Sequence, residues 1–230
     1  WAIVFGLAAL GAIAWLLFFS PAFVIRRIDV IGSVTPDVLV TFQGLQGRNL
    51  LAYSAGSMGD RLRTAQSSIR ELRVTKGLPD TLRIEVGLRS PVMRWRSNQD
   101  DYLIDAAGFP FQRGIGYTQT SVAENAPLVI DSLGQPVVIG QPLVRVQFVS
   151  LIEQLAREFP VQFPVTIDHF ELADSTFEVK LVTQGGWSVF FDTTRSIGPQ
   201  IEAFGQVYGK YYAEIREYVD LRLEGRAYYK

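Results

Sequence analysis

The 230-residue sequence contains no cysteine, one histidine and two methionines. Without cysteine there can be no disulfide, thiolate metal site or thiol nucleophile. The scarcity of histidine leaves His169 with no second imidazole or thiolate to complete a zinc site or an acid/base pair. An excess of either charge is also missing. The 22 basic and 23 acidic residues give a net charge of −1, so the chain as a whole has no electrostatic pull toward DNA or RNA. Neither nucleic acid nor any cofactor is expected as a partner. Repeats and low-complexity linkers are absent too. What the chain does have is apolar material, 48% hydrophobic with 12% aromatic residues, enough to build packed cores.

The first twenty residues, Trp1 to Ser20, read WAIVFGLAALGAIAWLLFFS without a single charge. At about 1.5 Å of rise per residue such a helix spans roughly 30 Å, the thickness of the bilayer hydrocarbon. Pro21 stops it, and aromatic residues sit toward both ends. A core helix is rarely apolar on every side for so long, and a cleaved signal peptide has a shorter apolar stretch ending in a small-x-small site. The expectation is a retained transmembrane helix over 1–20, with the bilayer as its partner. Because the chain opens on Trp rather than Met, a preceding segment is expected. Arg26 and Arg27 oppose placing the bulk of the chain outside, so charge alone leaves the orientation undecided.

Beyond the span, Phe23 to Gly32 is rich in β-branched residues, as a strand is, although its apolar phase slips between Ile25 and Ile28. A bulge near Arg26 and Arg27 accounts for the slip. Thr35-Pro-Asp starts a short helix with Thr35 as N-cap, and Ser57 to Gln66 suggests a second. Ile69 to Lys76 and Thr81 to Arg89 are two strands joined by the Gly77-Leu-Pro-Asp80 turn. The order strand, helix, helix, strand, strand defines a module over 21–89, closed by Ser90-Pro91. After it come short strands at Val92 to Arg96, Asp101 to Ile104 and Ala126 to Ile130. A helix over Leu143 to Phe159 is ended by Pro160. A hairpin follows across Gly185-Gly186, then a second long helix carrying Ile201, Phe204, Tyr208, Tyr211, Tyr212 and Ile215. A last strand runs from Tyr218 to Tyr229. The fold class is α+β: a membrane helix, a small β-α-α-β-β module, then a mostly antiparallel β domain over 90–230 with two longer helices.

Few residues suggest chemistry. Asp100, Asp101 and Asp105 could form a hydrolytic carboxylate site, but neighbouring aspartates point to opposite faces of a strand and these flank turn residues. The basic run Arg61, Arg63, Arg70 and Arg73 is diluted by Asp60 and Glu71 and reads as a solvated face. Gly114-Ile-Gly116 and Gly185-Gly186 lack the helix and lysine of a phosphate loop. The C-terminal strand is different. A last strand often lies at a sheet margin, where unpaired N–H and C=O groups accept a strand from another polypeptide.

Five runs in order behind the apolar segment carry a family resemblance. They are Phe23-Val-Ile-Arg-Arg-Ile-Asp-Val-Ile-Gly32, Leu78-Pro-Asp-Thr-Leu-Arg-Ile-Glu-Val86, Arg89-Ser-Pro-Val92 with Trp95, Tyr102-Leu-Ile-Asp-Ala-Ala-Gly108, and Tyr218-Val-Asp-Leu-Arg222. Their order and spacing behind a single anchor span nearly the whole chain, and it resembles the FtsQ/DivIB bacterial cell-division proteins. The resemblance implies one membrane span, a POTRA domain over 21–89, a β domain over 90–230, and no enzymatic activity. It implies a place in the cell membrane at the division septum, with the bulk of the chain extracytoplasmic among other divisome proteins. It also implies that the last strand pairs with the small bitopic coiled-coil proteins FtsB (DivIC) and FtsL. By position the contact residues would be Tyr218, Arg222, Leu223, Gly225, Ala227, Tyr228 and Tyr229. The sequence departs from the family at Leu88, where an acidic residue is usual, and in its final residues, Leu223 to Lys230. Two rival functions are a membrane-anchored cell-wall enzyme using Asp101 or Asp105, and a POTRA-type chaperone.

Overall fold

Helix α1 runs from Ala2 to Phe19 and buries none of its side chains against protein. With every side apolar, it is long and apolar enough to cross a membrane. This computed structural model describes residues 1–32, 34, 36–52, 56, 59, 66–114, 120–172 and 175–230. The expected N-cap at Thr35, most of the expected Ser57 to Gln66 helix, and Arg61, Arg63 and Gly116 lie outside them. The chain divides into two compact units, Trp1–Arg89 and Ser90–Lys230.

In the first unit a 3₁₀ turn, Pro21–Phe23, follows α1, and then come strand β1 (Arg27–Ile31) and helix α2 (Pro36–Gln43). Strands β2 (Ile69–Gly77) and β3 (Thr81–Leu88) complete a sheet of order β1-β3-β2, with β3 parallel to β1 and antiparallel to β2. The alternation in β3 turns Leu82, Ile84 and Val86 onto a core with Ile25, Phe42, Leu45, Leu50, Ile69 and Leu72. The slip at Arg26 and Arg27 has a main-chain cause. The amides of both residues donate to the one Asp80 carbonyl, at 2.9 and 3.3 Å, so two residues oppose one as in a bulge.

The second unit holds one sheet of nine strands, ordered β12-β11-β10-β9-β8-β7-β4-β5-β6. Its strands are β4 (Met93–Ser97), β5 (Asp100–Ile104), β6 (Pro110–Arg113), β7 (Leu128–Asp131), β8 (Ile167–Leu172), β9 (Glu178–Thr183), β10 (Ser188–Asp192), β11 (Tyr218–Asp220) and β12 (Tyr228–Tyr229). Most neighbours are antiparallel; β4–β7, β7–β8 and β10–β11 are parallel. A short helix α3 (Thr120–Asn125) and the longer α4 (Val146–Gln162) and α5 (Ile197–Tyr211) join them. Both long helices contribute to one core. Phe159 of α4 lies 4.7 Å from Phe204 of α5 and edge-on to Phe191 of β10.

Several element boundaries differ from expectation. Helix α5 stops at Tyr211, leaving Tyr212 in a 3₁₀ turn and Ile215 beyond it. Helix α4 begins at Val146 because the amides of Leu143 and Val144 are held by the Gly108 carbonyl. Gly108 has φ +81°, and a Cβ there would stand 2.1 Å from the Val144 carbonyl oxygen, so the turn requires glycine. At its other end α4 passes through Pro160. A proline in the last turn forfeits one bond, and Phe163 still donates to Phe159 at 3.0 Å. The largest difference is at the C-terminus. The single strand expected from Tyr218 to Tyr229 is a hairpin: β11 ends at Asp220, the chain turns through Gly225 at φ +68°, and β12 returns antiparallel along β11.

Candidate partner-binding edge

Strand β11 has no free side. It lies parallel to β10, with Ser188 donating to the Glu217 carbonyl and Leu221 to that of Phe190, both at 3.0 Å. On its other flank Lys230 donates to the Tyr218 carbonyl at 3.0 Å, and the main-chain oxygen of Lys230 accepts from Arg216 and Glu217 at 2.8 and 2.7 Å. Tyr218 and Lys230 therefore form a hydrogen-bonded pair, and in an antiparallel ladder the next pair, Val219 and Tyr229, is not bonded. The N–H and C=O of Tyr229 consequently turn away from β11, toward the open margin of the sheet. The Ala227 carbonyl, on the same trans peptide as the Tyr228 N–H that faces β11, turns the same way.

Side chains hold the hairpin in place. Arg195 donates to the carbonyls of Leu221 and Arg222, at 3.0 and 2.7 Å, while its Nε binds Asp192 at 2.8 Å. Arg222 grips Asp220 through two nitrogens, at 3.0 and 2.7 Å, pairs also with Glu178, and stacks over the Phe190 ring at 4.9 Å. Buried Gln200 donates to the Asp192 and Ser196 carbonyls and accepts from the Asp192 amide, seating α5 on β10. The Tyr229 ring stacks on Tyr211 at 5.0 Å, and its hydroxyl donates to Glu214 at 3.0 Å.

These contacts set the electrostatics. Burial works to raise the Asp220 carboxyl, but hydrogen bonds from the Arg222 side chain and amide outweigh it and hold the group below the usual carboxylate range. Asp192 is likewise lowered against its burial, by Thr194 and Arg195. The Arg222 guanidinium is pushed up by Asp220 and Glu178 and stays charged. Tyr229 is raised by its loss of solvent and by Glu214.

The seven expected contact residues thus divide. Tyr228, 46% exposed, the Ala227 carbonyl and the Tyr229 backbone form the margin itself. Leu223, 57% exposed, stands on the turn and lines a hollow of about 410 Å³ with Pro199, Ala203, Leu221 and Arg226. Gly225 makes the turn. Tyr218 sits on the inner strand, its ring edge-on to Phe190, and Arg222 is committed to the clamp. Sequence reasoning missed Glu178 at the start of β9, Asp192 at the end of β10, Arg195 in the turn after it and Gln200 in α5, which lie far from the C-terminal strand along the chain and carry no local motif.

The other candidates are occupied. Asp101 receives Nε and Nη2 of Arg96 at 2.6 and 3.0 Å, and Asp100 receives Arg113 at 2.6 Å. Buried Asp105 accepts from the amides of Ala107 and Phe109 at 3.0 and 2.9 Å, fastening the turn before β6. The His169 ring nitrogens lie 2.7 Å from Asp168 and 2.9 Å from Glu171, which also binds Lys180 across the β8–β9 pair at 2.8 Å. Among the described residues no group of His, Asp and Glu is arranged to hold a metal ion.

The chain is 29% identical over 146 residues to cell division protein FtsQ of Chloroflexus aurantiacus, a match covering 63% of this chain and 52% of that protein. The corresponding protein of Chloroflexus aggregans matches at 28% over 149 residues, 64% of the chain and 51% of the relative. That of Corynebacterium glutamicum matches at 28% over 104 residues, 44% and 45%. The chain spans about half the length of the curated relatives it matches. No protein-family model matches it.

Proposed function

We propose that this chain, a relative of the FtsQ/DivIB cell-division proteins, is a single-pass membrane scaffold of the division apparatus that recruits partners by strand addition to β12. In this reading residues 21–89 are the POTRA domain, residues 90–230 are the β domain, and the protein works outside the cytoplasm at the septum. Its partners are the small bitopic coiled-coil proteins FtsB/DivIC and FtsL. The observation that carries the proposal is the position of β12 at the end of the nine-strand sheet, with the Tyr229 backbone and the Ala227 carbonyl turned outward.

A margin this short supplies few main-chain bonds, each contributing about 0.5–1.5 kcal/mol net. Micromolar affinity corresponds to roughly 8 kcal/mol, so side chains must supply most of it. Tyr228, exposed on the strand, and Leu223, exposed beside the 410 Å³ hollow, are placed to do this. Tyr228→Glu or Leu223→Lys should abolish co-purification of the coiled-coil partners while membrane insertion and the circular-dichroism spectrum stay unchanged. Hydrogen exchange supplies the decisive measurement: the Tyr229 amide should become protected only in the complex. Equal protection of that amide with and without partner would refute strand addition.

The cell-wall enzyme is the weaker reading, because the carboxylates of Asp101 and Asp105 already serve Arg96 and a turn. Growth supported by a chain carrying alanine at both positions would dismiss it.

A further inference from the structure

Helix α1 does not end in a flexible tether. The last carbonyls of a helix lack intrahelical partners, and here two of them are taken by a side chain from elsewhere in the first unit. Asn49 Nδ2 donates to the carbonyls of Leu17 and Phe18, at 3.3 and 2.6 Å. Its Oδ1 accepts from Leu51 and Ala52, at 2.8 and 3.1 Å. Main-chain bonds from Leu50 to Phe23 and from Ile25 to Arg48, at 2.7 and 2.9 Å, lock the same join. Residues 48–52 are therefore held where the apolar helix stops, which is the level of lipid headgroups for a spanning helix.

The side chains gathered at this level are basic. Arg26, Arg27, Arg48 and Lys76 are all exposed. Lys76 Nζ reaches the Leu51 carbonyl at 3.3 Å, and Arg26 reaches that of Pro21 at 3.4 Å. Among the described residues at this level the acidic group is Asp80, with a side chain only 17% exposed and tied to Arg27 and Thr81. Asp29 lies roughly 7 Å beyond Arg27 along β1. The tip of the β2–β3 hairpin, joined to Arg26 and Arg27 through Asp80, presents Leu78 at 65% exposure. Cationic groups around an unburied apolar tip, fastened to the end of a membrane helix, match the chemistry of a bilayer interface.

We infer that this face of the first unit binds anionic phospholipid headgroups through Arg26, Arg27, Arg48 and Lys76, with Leu78 entering the acyl boundary. The module is thereby held at a set tilt on the membrane. The inference goes beyond partner recruitment and rests only on α1 being inserted.

The absence of cysteine makes the test direct. An environment-sensitive dye is placed on Leu78→Cys, and on Ile31→Cys at the far end of β1 as the control. The full chain is reconstituted in vesicles of phosphatidylcholine alone or mixed with phosphatidylglycerol. The Leu78→Cys label should shift to blue emission in the anionic vesicles, and raised salt should reverse it, while the control stays in water. Arg26→Glu and Arg48→Glu should each lower the ratio of docked to undocked module about fivefold. A label indifferent to lipid charge and to both reversals overturns the inference. Alkaline carbonate extraction comes first: a chain released by it overturns the anchor as well, whereas a retained chain with an indifferent label overturns the headgroup contact alone.

Discussion

The two margins of the nine-strand sheet are built to opposite ends. At one, β6 opens with Pro110, whose carbonyl already accepts from Gly140 at 2.8 Å, and closes with Arg113 paired to Asp100. Phe111 there is buried with Leu103 and Ala123. Proline, charge and an overlying loop are the usual ways to keep an edge from pairing with strangers. At the other margin β12 exposes Tyr228 and the turn before it exposes Leu223, with no proline and no loop bonded across β12 among the described residues. A sheet can thus block one edge and leave the other able to pair, and the open edge is the place to look for a partner.

Removing the shared core should erase the contrast. Phe159→Ala, at the junction of α4, α5 and β10, should cost about 3–5 kcal/mol in denaturant unfolding, with both margins losing exchange protection together. A smaller change should separate them. Arg195→Ala takes two carbonyl partners from the C-terminal turn and should weaken that hairpin by roughly 2 kcal/mol, seen as about 30-fold faster exchange at Lys230 and Tyr218 with β6 unaffected.

Acid sharpens the same distinction. Asp220 and Asp192 have folded pKa values below their unfolded ones, so their stabilisation is complete above the unfolded value, near 4. It is lost as pH falls through the lower folded values. An exchange or NMR titration should therefore show the β11–β12 hairpin loosening below about pH 4. The smallest effect is expected from Arg113→Ala at the guarded margin. That pair is largely exposed, and its loss should leave the denaturant unfolding midpoint nearly where it was.

Much of this architecture was legible in the residues. The uncharged run before Pro21 announces α1, the alternation of Leu82, Ile84 and Val86 announces β3, and the i, i+3, i+4 spacing of Phe148, Leu151, Ile152, Leu155 and Phe159 announces α4. The site was legible only in outline. Alternation of Val219, Leu221 and Leu223 suggested one strand, but Arg195 draws the carbonyls after Leu221 off the sheet line and the chain turns back at Gly225. Arg222 looked like a contact for a partner because nothing in its neighbourhood along the chain shows that Glu178 and Phe190 receive it.

Period and composition along the chain are enough to give a membrane-length apolar helix and the apolar faces of the longer strands and helices, because those are local properties; β6, α3 and the split of the last strand carry no such signal. Which strand lies at the margin, and whose amides face outward, follows from the packed sheet. Whether a backbone group is paired depends on what stands beside it in space, and that neighbour is chosen by the packing of the whole sheet.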